Sequence, residues 1–240
     1  MSQLLLRRLT GGLLVITPLG FLSCFFLLSL TFSYPEILQA APGDILQRFA
    51  QGGEGLVLLW YGLTGSALLL IPLAVLSGQT LASEGGDRLL LQLATVSGVV
   101  AGTVQTLGFL RWPFLVPSLA HAYLDPQSTE AARAAIVVVF DAFHRYAGQG
   151  IGEHLGYFFT AGWTLLISLV LLKQIGRWRL LAWVGIILAC GIAAGNLQAA
   201  GFAPASSITA LAYSLWAVWL IVLGARLLLS PRLIPSPATP

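Results

Sequence analysis

Runs of about twenty residues with no charge recur along this chain, as in "LLVITPLGFLSCFFLLSLTF" at 13–32, and no other feature limits the fold as tightly. Wound as an α-helix at about 1.5 Å per residue, such a run matches the roughly 30 Å hydrocarbon core of a bilayer. Composition agrees. The chain is 57% hydrophobic and 9% charged, whereas a soluble domain carries about a quarter of its residues charged. The 240 residues are therefore expected to form one all-α domain (1–240), a polytopic membrane helix bundle whose first partner is the lipid bilayer. A formal net charge of +3, scattered over loops, points to no nucleic acid and to no polybasic lipid anchor.

Apolar runs bounded by Gly, Pro and charge predict spans near 9–32, 54–76, 89–110, 152–173, 181–202 and 207–229. The tail 230–240 is proline-rich and expected to be flexible. A further stretch, "AARAAIVVVFDAFHRYAG" at 131–148, is long enough to cross but carries Asp141, His144 and Arg145. Each of these costs about 3 kcal/mol at the bilayer centre on insertion scales. Charge asymmetry decides the count. With six spans, Arg7, Arg8, Arg88, Lys173, Arg177, Arg179, Arg226 and Arg232 share one side, leaving Arg48, Arg111, Arg133 and Arg145 on the other. Letting 131–149 cross would reverse that excess, so the positive-inside rule predicts six spans with both termini cytoplasmic. The segment 131–149 is then an extracytoplasmic interfacial or re-entrant helix. Its stripe of Asp141, His144, Arg145 and Gly148 opposes an apolar side, and Gly148, Gly150 and Gly152 are expected to let the chain bend before the next span. Loops 33–53, with a short surface helix over 44–50, and 111–151 complete the outer cap. The two cysteines, Cys24 and Cys190, lie in apolar runs and imply neither a disulfide framework nor a metal motif. "FLSC" at 21–24 faintly matches a lipoprotein cleavage box, but the greasy continuation predicts a retained first helix flanked by Arg7 and Arg8.

His121, His144 and His154 all fall in the cap, together with Asp125, Asp141 and Glu153. Two readings of this set stand side by side. In the first, polar residues occupy the wet interface: Asp141 pairs with Arg145 at i+4, and Glu153 favours the start of the next helix. In the second, the three histidines bind a metal, zinc or a haem iron, and Glu153 or Asp141 acts as a catalytic proton acceptor. The second reading requires the bend, because the step from His144 to His154 is about 15 Å along a straight helix. Within the membrane, Gln105, Asn196 and Gln198 are the notable polar side chains. Buried amides usually join helices by hydrogen bonds, and they would serve transport only if they faced one cavity. "GVVAG", "GIAAG" and "GLTGS" are small-residue patterns for close helix packing. The sequence has no "HExxH" pair, nucleophile elbow or nucleotide fingerprint.

"LGFLRWPFLVPSLAHAY", "VVFDAFHRYAGQGIGEHLGYFFTAGWTLL", "RWRLLAWVG" and "SLWAVWLIVLGARLL" follow in an order that resembles a family of bacterial multi-pass membrane proteins known only as a domain of unknown function. The resemblance covers about residues 90–229 and is sharpest around His144, Tyr146, Gly148, Gly152, Glu153, His154 and Gly156. It implies a membrane architecture in the cell inner membrane and no particular activity. The resulting expectation is a non-catalytic membrane component, either a subunit among other membrane proteins or a binder of a small lipophile. The alternatives are a metal- or haem-binding enzyme or redox protein and, third, a small-solute transporter.

Overall fold

In the computed structural model, which describes residues 2–173 and 177–229, helices follow one another with short connections. They are α1 (Gln3–Phe32), a 3-10 turn (Glu36–Gln39), α2 (Pro42–Ser83), α3 (Arg88–Phe114), α4 (Val116–Leu124) and α5 (Glu130–Phe143). A π-helical segment (His144–Leu155) leads into α6 (Gly156–Leu172), then α7 (Arg177–Ala193), a second 3-10 turn (Ala194–Ala200) and α8 (Ala205–Leu229). Local chemistry sets several boundaries. Asp87 caps α3, its Oδ1 accepting from the backbone N–H groups of Leu89 (3.1 Å) and Leu90 (3.2 Å). Thr129 caps α5 by accepting from Ala132 N at 3.2 Å. Pro42 opens α2 where its missing N–H costs nothing.

Six helical stretches are long and apolar enough to cross a membrane: Gln3–Phe32, Pro42–Ser83, Arg88–Leu124, Glu130–Leu172, Trp178–Ala200 and Ala205–Leu229. Only 22% of the most apolar window of the first, and 33% of that of the fifth, is buried by the protein itself. A surface that is apolar yet uncovered needs lipid around it. The chain is a multi-pass, all-helical membrane protein.

The six spans match the expected number, but the stretch before the fourth departs from expectation. Residues 131–149 form no hairpin with the following span; Glu130–Leu172 is one helical path of 43 residues. Three glycines loosen the chain at 148–152, yet the backbone keeps its hydrogen bonds by reaching one residue further, in the i→i+5 pattern. A turn there would have left N–H and C=O groups unpaired, which is costly beside lipid. At about 1.5 Å per residue the path reaches up to about 65 Å, twice the hydrocarbon core, so much of it lies outside lipid. The surface helix expected over 44–50 is the start of α2, whereas the first part of the expected loop 111–151 is largely helical, as the end of α3 with α4. The predicted flexible tail lies outside the described residues.

Two compact units divide the structure. One combines Leu69–Thr103 with the described residues before Gly20 and after Leu155. Here α6 packs on α7 and α7 on α8, around a core that includes Leu73, Trp163, Ile167, Trp219 and Leu220. Several polar groups in this core are satisfied locally, although Trp163 Nε1 has no partner among the described residues. Thr164 and Ser168 donate to carbonyls four residues back, Trp216 Nε1 donates to Thr164 Oγ1 at 2.8 Å, and Trp219 Nε1 donates to the Leu181 carbonyl at 2.8 Å. The other unit, Gly20–Leu68 with Val104–Leu155, has a core built on aromatic rings. It also contains every histidine.

Candidate functional site: an aromatic box and an open cleft

In the second unit Trp60 and Trp112 lie nearly parallel, with centroids 4.4 Å apart and planes 9° from one another. Phe32 meets both edge-on, at 6.2 Å and 5.4 Å, and Phe49 stacks on Trp112 at 5.9 Å. Phe140 continues from Trp112 at 6.3 Å and stacks on His144 at 5.7 Å. Both indoles are fully buried, and His144 is 6% exposed. Trp60 Nε1, Trp112 Nε1 and both ring nitrogens of His144 have no hydrogen-bond partner among the described residues. A buried donor left unpaired costs about 1–3 kcal/mol, so a group of four is unusual in a core this well filled.

The π segment determines what faces this box. Its wider turn holds roughly 4.4 residues rather than 3.6, so His144, Gly148 and Glu153 fall along one side, where a regular α-helix would carry Glu153 away. Burial follows this register: His144 and Gly148 are buried and Glu153 half-buried, whereas Arg145, Tyr146 and His154 are exposed. Gly148 makes room for Arg111. A Cβ there would lie 2.6 Å from the guanidinium carbon of Arg111. Arg111 also donates to the Gly108 carbonyl and lies 5.2 Å from the Trp112 ring. Gly108 and Gly152 bring α3 and the π segment into backbone contact, since a Cβ on Gly108 would sit 2.6 Å from the Gly152 Cα. Tyr34 packs edge-on to Trp60 at 5.1 Å. Burial first, and then the Glu153 carboxylate, push its phenol above the ordinary value, while Arg111 acts in the opposite direction.

An open cleft of about 570 Å³ lies between residues 49–57 of α2 and residues 117–126 in and after α4. Phe49, Val57, Pro117 and Ala120 are among its walls, and Glu54, His121 and Asp125 add polar groups. It borders the kink in α2 at Gly53, whose φ of 57° and ψ of −153° suit glycine alone. The cavity of about 30 Å³ beside Trp163 in the other unit has room for a water rather than a ligand.

The six residues of the predicted cap thus separate. His121 and Asp125 both line the cleft, His144 is sealed in the aromatic box, and His154 is exposed. Asp141 is engaged by Arg145 at 2.8 Å, the local pair that its i+4 spacing predicts, and Glu153 lies within electrostatic reach of Arg111 and Tyr34. Zinc takes three or four protein ligands at about 2.0–2.3 Å. Among the described residues no group of three or more His, Cys, Asp or Glu side chains could hold such an ion. The geometry therefore does not assemble His121, His144 and His154, because the bend that would fold His144 back toward His154 is replaced by a continuous helical path. Neither ring nitrogen of His144 is open to a haem iron. Of the intramembrane amides, Gln105 belongs to this unit, whereas Asn196 and Gln198 lie in the other, on the second 3-10 turn. None of the three lines the cleft. Sequence reasoning missed Tyr34, Trp60, Arg111 and Trp112 as site residues. Their one visible signal is Arg111-Trp112 at the end of an apolar run, a placement equally expected of an interfacial anchor.

No curated protein and no solved structure matches the chain significantly. A family model, described as a domain of unknown function (DUF4386), matches residues 9–224. That match takes in nearly all of the six spans and the whole aromatic unit, and the chain belongs to the DUF4386 family of unknown function.

Proposed function

We propose that this protein is a non-catalytic membrane component that binds a small lipophilic molecule in the cleft between α2 and α4. The observation that carries this reading is the cleft itself. Its volume of about 570 Å³ falls in the range of roughly 300–1,000 Å³ typical of small-molecule sites. Apolar walls from Phe49, Val57, Pro117 and Ala120, with a few polar groups beside them, suit a ligand that is mostly hydrocarbon. The two proton acceptors expected from sequence do not line it: Asp141 is paired with Arg145, and Glu153 lies within electrostatic reach of Arg111.

The proposed setting is a bacterial inner membrane with both termini cytoplasmic, supported by the eight-to-four distribution of basic residues across six spans. The test uses the full chain in nanodiscs and a trifluoromethyl-tagged alkylbenzene followed by fluorine NMR. Saturable binding to the wild type, weakened in Val57→Trp because the indole intrudes on the cleft wall, is the expected result. Absence of saturable binding, or binding untouched by Val57→Trp, rejects the reading.

A further inference from the structure

We propose that the stacked indoles of Trp60 and Trp112 receive the carbonyl oxygen of the bound lipophile, with Phe49 as the movable wall between them and the cleft. The inference rests on the cleft reading and adds the chemical class of the ligand. An indole N–H can only donate, so two sealed and unpartnered indoles call for an acceptor. Elsewhere the half-buried Trp216 and the buried Trp219 each donate at 2.8 Å, whereas the buried Trp163 has no partner among the described residues. Trp60 and Trp112 differ from Trp163 in lying stacked together, 4.4 Å between centroids, with Trp112 packed on the cleft wall Phe49. His144, more than nine-tenths buried and unpartnered at both nitrogens, extends the stack through Phe140.

Charge selects the kind of acceptor. Arg111 lies 5.2 Å from the Trp112 ring, with Glu153 within its electrostatic reach. A neutral oxygen fits there better than an anion, which would add an uncompensated charge to a buried place. Ketone, quinone and ester carbonyls share this character, and the flat rings of the box suit a planar group. Phe49 provides the route. It lines the cleft and also stacks on Trp112. It sits on the arm of α2 just before Gly52 and Gly53, where the non-helical backbone can take up a small shift.

The experiment compares two tagged probes of equal chain length in nanodiscs, a phenyl alkyl ketone and the alkylbenzene without oxygen. The ketone is expected to bind about tenfold more tightly, the worth of one net hydrogen bond. Trp112→Phe, which keeps the ring and removes the N–H, should bring the ketone down to the hydrocarbon's affinity and leave the hydrocarbon unchanged. Trp60→Phe provides the same comparison should Trp112→Phe fail to fold. Equal binding of the two probes to the wild type, or a ketone preference that survives both substitutions, overturns the inference and leaves the cleft reading in place. Saturable binding of neither probe overturns both.

Discussion

At the scale of single residues, this unit depends on side chains that are missing. Gly108 faces Gly152 backbone to backbone, so a methyl at 108 would meet an α-carbon that cannot rotate away. Gly108→Ala is expected to cost about 1–3 kcal/mol, as overpacking usually does, read as a lower unfolding temperature in detergent. Gly150→Ala is the control, because its nearest neighbour, the Arg145 carbonyl, would be at an ordinary 3.5 Å. Tyr34 gives a second prediction. Its folded phenol is held above the unfolded value by burial and Glu153, so the folded state keeps its proton longer than the unfolded chain does. Stability from this group is complete below about pH 10 and falls as pH rises past the ordinary phenol value. Tyr34→Phe should therefore resist alkaline unfolding better than the wild type, with little difference at pH 7. A parallel loss in both proteins would contradict the placement of that hydroxyl. Neither the Gly108–Gly152 contact nor the setting of Tyr34 is legible in sequence, because each joins residues far apart along the chain.

At the scale of elements, caps and helix period decide what each segment presents. Asp87 holds the start of α3, and its other oxygen meets Lys173 at 3.1 Å. Hydrogen bonding from the Leu90 N–H, followed by the Lys173 side chain, lowers its carboxyl below the ordinary range. A depressed carboxylate contributes stability above its unfolded pKa and loses it as pH falls through the folded one. Asp87→Ala should lower the unfolding temperature by a few degrees near pH 7, and the gap should close as the pH drops below the ordinary carboxylate range. A gap that persists in acid would mean that the charge is not responsible. The cap itself, "GGDRLLL", is readable from sequence. The π segment is not: the sequence offers the three glycines, which serve a bend as well as a widened turn. The choice between them came from the need to keep the backbone bonded beside lipid.

At the scale of the whole molecule, the six spans carry the proposed orientation, and a topology reporter tests it. Alkaline phosphatase fused after Lys173 should be inactive, on the cytoplasmic side, and fused after Gln127 it should be active. The opposite pattern would reverse the proposed orientation. Sequence alone determined the class and the number of crossings, because lipid imposes its demand on each run separately and a run of apolar residues either spans or does not. It also drew attention to the histidines and carboxylates between His121 and His154, since ionisable residues near lipid are rare enough to be conspicuous. Only the tertiary structure decided which of those residues meet. It separated His121, His144 and His154 and set Trp60 on Trp112, because ring stacking and backbone contact depend on distances between segments that no local pattern encodes.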